Sequence, residues 1–106
     1  MTILYTDDRF LDHETGTHRE RPERLKAISA ELARTGLARR CKVGETRVAS
    51  AEELTRLHDG RYRERLEKFA AMGGGWIESD TFVSPKSYDV ACRAVGTCQA
   101  AVDAVM

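Results

Sequence analysis

The chain has 106 residues, and its 17 Lys and Arg balance 17 Asp and Glu. Zero formal net charge excludes a global field that would draw it to nucleic acid or to an anionic membrane, and the length allows one domain or part of one. Three cysteines without Cys-x-x-Cys spacing read as reduced thiols, acid follows the N-terminus too soon for a signal sequence, and no apolar run nears membrane-spanning length, so the expectation is a soluble cytoplasmic protein.

Residues 2–5 form a short apolar run of the kind buried in a parallel sheet, a first predicted strand. Residues 6–19 are polar and aperiodic, a loop longer than a connection needs. A helix is predicted over 20–35, with Pro22 in its first turn, Leu25, Ile28 and Leu32 as its apolar stripe, and Gly36 before Leu37 as a Schellman ending. Residues 41–49 are the second predicted strand, interrupted by Gly44. Ser50 and Glu53 make a capping box for a short helix through Leu54 and Leu57. Asp59-Gly60 resets the chain for a further helix to about Met72 on Tyr62, Leu66 and Phe69, with Glu64 and Lys68 paired one turn apart.

Three glycines, 73–75, precede a predicted loop over 76–83 that carries Trp76, Glu78, Ser79 and Asp80. The last helix is predicted to open on Ser84 as cap and Pro85 as first helical residue, and to bury Tyr88, Ala91, Val95, Cys98, Val102 and Val105 on one face. Its second half is small or apolar nearly all round, which predicts neighbours on more than one side. No Gly caps its end and Asp103 faces the unfavourable pole of the dipole, so the chain is expected to stop inside an element. Strand, helix, strand and then helices open an α/β parallel-sheet fold, mostly helical with two short strands.

Several groups could carry chemistry. His13 and His18, near Asp7, Asp8 and Asp12, match no standard zinc spacing, and a solvated or internally hydrogen-bonded loop is the preferred reading. His58, at a helix end, reads as packed or capping. Arg19, Arg21 and Arg24 around Pro22 could grip phosphate, but arginine at a helix start opposes the dipole and calls for a carboxylate or carbonyl partner. Glu78 and Asp80 flank Ser79 next to Trp76: one of the two acids could accept hydrogen bonds from a ligand's amide N–H groups while the aromatic covers its apolar part, or Asp80 merely accepts from nearby backbone N–H groups; the residues leave both open.

Phe10-Leu11-Asp12-His13-Glu14-Thr15-Gly16, leading to His18-Arg19-Glu20-Arg21-Pro22-Glu23-Arg24-Leu25, resembles the opening of the histone deacetylase superfamily, in particular its bacterial histone deacetylase-like and acetylpolyamine amidohydrolase members. Asp80-Thr81-Phe82-Val83-Ser84-Pro85-Lys86-Ser87-Tyr88, followed by Ala94-Val95-Gly96 and Ala101-Val102-Asp103-Ala104-Val105, is similar to that family's next block. Arg19 stands where proline is common, and Lys86 where a small residue is common.

The resemblance implies that residues 1–106 are the incomplete N-terminal portion of a single arginase/deacetylase-type α/β domain. It implies zinc-dependent hydrolysis of an acetyl-amide on a lysine or polyamine chain by the intact enzyme, with the zinc ligands, the histidine pair and the oxyanion tyrosine all outside this stretch. By the same resemblance Asp80 is the substrate-binding rim aspartate and Arg24 lines the inner channel, while no catalytic residue and no metal ligand is assigned here. This chain alone is expected to be inactive and without zinc. Its expected partner is an acetylated small molecule or protein lysine, with no nucleic acid and no membrane. The alternative is a non-enzymatic helical interaction module that forms homo-oligomers through the last helix and the strand edges. A weaker third reading is phosphate or RNA binding through residues 19–24.

Overall fold

In the computed structural model, which describes residues 1–106, β1 (Ile3–Leu4) pairs in parallel with β2 (Lys42–Val43). Lys42 N–H donates to Thr2 O and Gly44 N–H to Leu4 O, both at 2.9 Å. The strand predicted over 41–49 shrinks to two residues because the chain leaves the sheet after Gly44, which lies so close under the Tyr5 ring that a Cβ would strike it. By Ala49 the backbone is bonded elsewhere, its N–H donating to the Cys92 carbonyl at 2.9 Å.

The helices follow their punctuation. α1 (Pro22–Thr35) starts two residues later than predicted, because Pro22 holds Arg21 in an extended conformation, φ −150° and ψ 158°. Gly36, at φ 78°, ends it. α2 (Ala51–Thr55) carries both arms of the capping box: Glu53 N–H donates to Ser50 Oγ at 3.1 Å and Ser50 N–H to Glu53 Oε1 at 2.9 Å. α3 (Gly60–Ala71) opens on Asp59, whose carboxylate accepts from Arg61 N–H at 2.7 Å. The predicted Glu64–Lys68 pair is replaced by Arg63, which sits 3.5 Å from Glu67 and donates to the Tyr88 hydroxyl at 2.8 Å.

The predicted loop over 76–83 is a β-hairpin, which raises the strand count from two to four. β3 (Gly75–Glu78) and β4 (Thr81–Val83) are antiparallel, with Trp76 opposite Phe82 and Glu78 opposite Thr81. Trp, Ile, Thr, Phe and Val favour the pleat, and an irregular register between Trp76 and Glu78 leaves Ser79 and Asp80 at the tip. Gly74, at φ 74°, admits the Val83 carbonyl where any side chain would stand.

α4 (Ser87–Val105) starts after a turn, so Ser84 and Pro85 are neither cap nor first residue. Its buried stripe also differs from the predicted one. Ser87, Cys92, Gly96 and Thr97 are covered, while Val95, Cys98, Val102 and Val105 are exposed. The reason is Gly96: without a side chain it lets the helix press against the backbone of Arg47 and Ala49, which turns the small-residue face inward. Burial pushes the Cys92 thiol up, so it is an inert packing group.

The molecule is a slab of 42 × 34 × 18 Å. Since a helical layer is about 10 Å thick, this leaves room for two layers and not for helices on both faces of a sheet. Only 9 of 106 residues are buried, none of them on α1, where Leu25 is 41% and Ile28 52% exposed. No helix is long and apolar enough to cross a membrane.

With so small a core, polar links hold the segments together. Asp7 accepts from the Arg9 backbone N–H and from Arg9 Nε, both at 2.9 Å, and from Thr46 Oγ1 at 2.6 Å. Arg93 on α4 donates to Thr46 at 3.2 Å and lies 3.6 Å from the same carboxylate. The donors from Arg9 and Thr46 hold the Asp7 carboxyl well below its usual range.

Two outcomes follow from these contacts. Gly96→Val drives two methyl groups into backbone that cannot swing aside, so urea or thermal unfolding should register a loss of about 1–3 kcal/mol. Asp7→Asn should lower the urea midpoint at neutral pH. Because the folded carboxyl binds its proton less readily than the unfolded one, Asp7 stabilises above the ordinary value of 3.8 and loses that contribution as pH falls below it. The gap between the two proteins should therefore narrow in acid.

Candidate functional site

The site is built where the residue 13–20 arm meets the hairpin tip. The arm is locked by its own bonds: His18 N–H donates to Thr15 O at 3.3 Å, and the buried Thr15 hydroxyl donates to the Glu20 carbonyl. It is then clipped to the turn before α4. Glu14 N–H donates to Ser84 Oγ at 3.0 Å, Ser84 N–H donates to Ser87 Oγ at 2.8 Å, and His13 Nδ1 shares a hydrogen bond with Ser87 Oγ. Ser84, mistaken in the sequence for a helix cap, is the buried fastening point of the arm.

This arrangement delivers His18 to Asp80 across 62 positions. His18 Nε2 lies 2.7 Å from Asp80 Oδ1 and 3.1 Å from the Asp80 carbonyl. Neither of the two readings left open for Asp80 had the ring as its partner. The two side chains differ sharply in exposure: His18 is 16% and Asp80 88% accessible. The histidine is therefore the seated group, and the carboxylate is the one offered to solvent.

Aromatic residues floor the same spot. Trp76 and Phe82, paired across the hairpin, stand edge to face with centroids 5.0 Å apart. The His18 ring is 6.2 Å from that of Trp76. An exposed carboxylate beside a half-exposed indole can accept N–H bonds from an extended ligand and cover its apolar part.

Arg24 has the carboxylate partner expected of it. Its Nη1 donates to Glu20 Oε1 at 2.5 Å, one helical turn back, and both side chains are more than half exposed. It lines a cleft of about 180 Å³ with Phe10, His13, Pro22, Leu25 and Ile28. Glu20 thus touches both candidate residues' surroundings, its backbone N–H donating to His18 Nδ1 at 2.9 Å and its carboxylate holding Arg24. Arg19 and Arg21 are exposed and join no cluster of bonds.

The histidines do not come together. His13 faces Ser87, His18 faces Asp80, and His58 lies by Tyr62 with ring centroids 6.0 Å apart. No group of three or more His, Cys, Asp or Glu side chains is placed to hold a metal. These residues do not fit a zinc cage.

A family model described as histone deacetylase domain matches residues 18–106. The "Histone deacetylase-like amidohydrolase" of Pseudomonas aeruginosa is 35% identical over 89 residues, which cover 84% of this chain and 23% of that protein. The "Probable deacetylase" of Methanothermobacter thermautotrophicus is 30% identical over 103 residues, 97% of this chain and 30% of its own. The crystal structure of the HDA15 HD domain superposes with a TM-score of 0.83 at 29% identity, over 92% of this chain and 29% of that one. The chain spans between 19% and 36% of the length of the curated relatives it matches.

Proposed function

Since this chain belongs to the histone deacetylase family, we propose that it is the N-terminal part of a zinc-dependent amide hydrolase that removes acetyl groups from lysine or polyamine chains. In this reading Asp80 binds substrate at the tunnel rim and Arg24 lines the inner channel. The observation that carries it is the solvent-facing Asp80 carboxylate, held by the seated His18 ring at the tip of an aromatic hairpin.

The rim role follows from elementary chemistry. An ionised carboxylate is acceptor-only, so it recognises peptide N–H groups on either side of an acetylated side chain and fixes how that chain enters. Trp76 and Phe82 supply the apolar wall for the entering methylenes. Arg24 would hold a departing acetate as counter-ion, with Glu20 as its partner between turnovers. The metal that activates water in this family would be held by residues other than these.

A second reading, an interaction module, draws on the exposed Leu25, Ile28, Val95 and Val102. The two readings separate by experiment. In the intact enzyme, Asp80→Ala should raise KM for acetyl-lysine peptides about tenfold or more, as expected for a lost hydrogen bond to a charged acceptor. The 106-residue chain with added zinc should turn over no acetyl-lysine substrate. Robust, chelator-sensitive deacetylation by that chain would overturn the proposal, and a discrete dimer in light scattering would favour the interaction module.

A further inference from the structure

We infer that His18 is the positioning residue that sets Asp80 for substrate, an inference that rests on the rim reading above. The other nitrogen of the ring fixes where its proton sits. Glu20 N–H donates to His18 Nδ1 at 2.9 Å, and a nitrogen that accepts a hydrogen bond cannot itself carry a proton. The ring proton of neutral His18 is therefore on Nε2, which donates to Asp80 Oδ1 at 2.7 Å and to the Asp80 carbonyl at 3.1 Å.

Three consequences follow for Asp80. Its side chain is anchored through Oδ1, which leaves Oδ2 to face an incoming N–H. Its backbone is tied at the same point, so the hairpin tip cannot turn the carboxylate away. The anchor is itself rigid, since His18 sits on an arm closed by Thr15 and clipped by Ser84. A lone carboxylate on an exposed two-residue tip would sample many rotamers; here the ordering is complete before the ligand arrives, and binding does not bear that cost.

His18 also links the two ends of the proposed site. Through Glu20, whose backbone meets His18 and whose carboxylate meets Arg24, the rim is joined to the inner channel by consecutive hydrogen bonds. His18 touches no reacting atom in this account. Its effect is on where Asp80 points.

The test uses the intact enzyme with an acetyl-lysine peptide and, as control, a neutral N-alkyl acetamide, whose one N–H belongs to the scissile amide and which has no peptide backbone N–H to offer the rim. His18→Ala should raise the peptide KM about tenfold with kcat within about twofold, and leave the N-alkyl acetamide unaffected. His18→Gln keeps an N–H donor near the Nε2 position and should recover most of the peptide KM. In an Asp80→Ala background, His18→Ala should add nothing. If Asp80→Ala raises the peptide KM and His18→Ala does not, the positioning role is overturned while the rim reading stands. If Asp80→Ala is without effect, the rim reading fails and takes this inference with it. Imidazole ¹⁵N shifts of the unsubstituted protein give a readout independent of any variant's folding: the Nε2–H tautomer is expected for neutral His18, and the Nδ1–H tautomer would overturn the inference.

Discussion

Three segments far apart in the chain meet at one carboxylate. Asp7 gathers Arg9, Thr46 and Arg93, and so ties the first loop to the stretch after β2 and to α4. Burial alone would not fix this arrangement, because only nine residues lie out of solvent and α1 buries none. The dependence is therefore on satisfied polar groups at a few points, Asp7 at one and the Ser84–Ser87 pair at another. Such links are worth most where they are dry, and both serines and the Asp7 side chain are largely covered.

From those fastenings the site follows in order. The serines hold the arm of residues 13–20; the arm seats His18; His18 fixes Asp80. The first and last of these steps join residues that are 62 to 74 positions apart, and the middle one is local to the arm. The hairpin contributes in parallel, since pairing Trp76 with Phe82 makes a stiff platform and places Asp80 at its tip. In the proposed reading, what the segment offers a substrate is a preset acceptor beside an aromatic wall. Its exposed apolar stripes on α1 and α4 are surfaces of a kind that a larger α/β domain covers with further layers.

Most local signals in the sequence mark what the fold shows, the Ser84-Pro85 helix start and the Glu64–Lys68 pair being exceptions, while distant contacts left no such mark. Pro22, Gly36, the Ser50–Glu53 box and Asp59-Gly60 act within a few residues, and each marks a real boundary. The motif resemblance identified the family, which the similarity over residues 18–106 bears out. Periodicity failed on α4 because a helix rich in small residues has no single apolar face, and a backbone contact at Gly96 chose the buried one. The hairpin was missed because three glycines and a polar tip outweighed a β-prone run too short to alternate clearly. His18 as the partner of Asp80 was beyond reach, since nothing local to either residue records a contact made through the fold.

The most direct measurement is a structure of the intact enzyme with an acetyl-lysine peptide bound. The account predicts Asp80 Oδ2 within hydrogen-bond distance of peptide N–H groups while His18 Nε2 still donates to Oδ1. A peptide that leaves Asp80 in solvent, or reaches the active centre from another face, would contradict it.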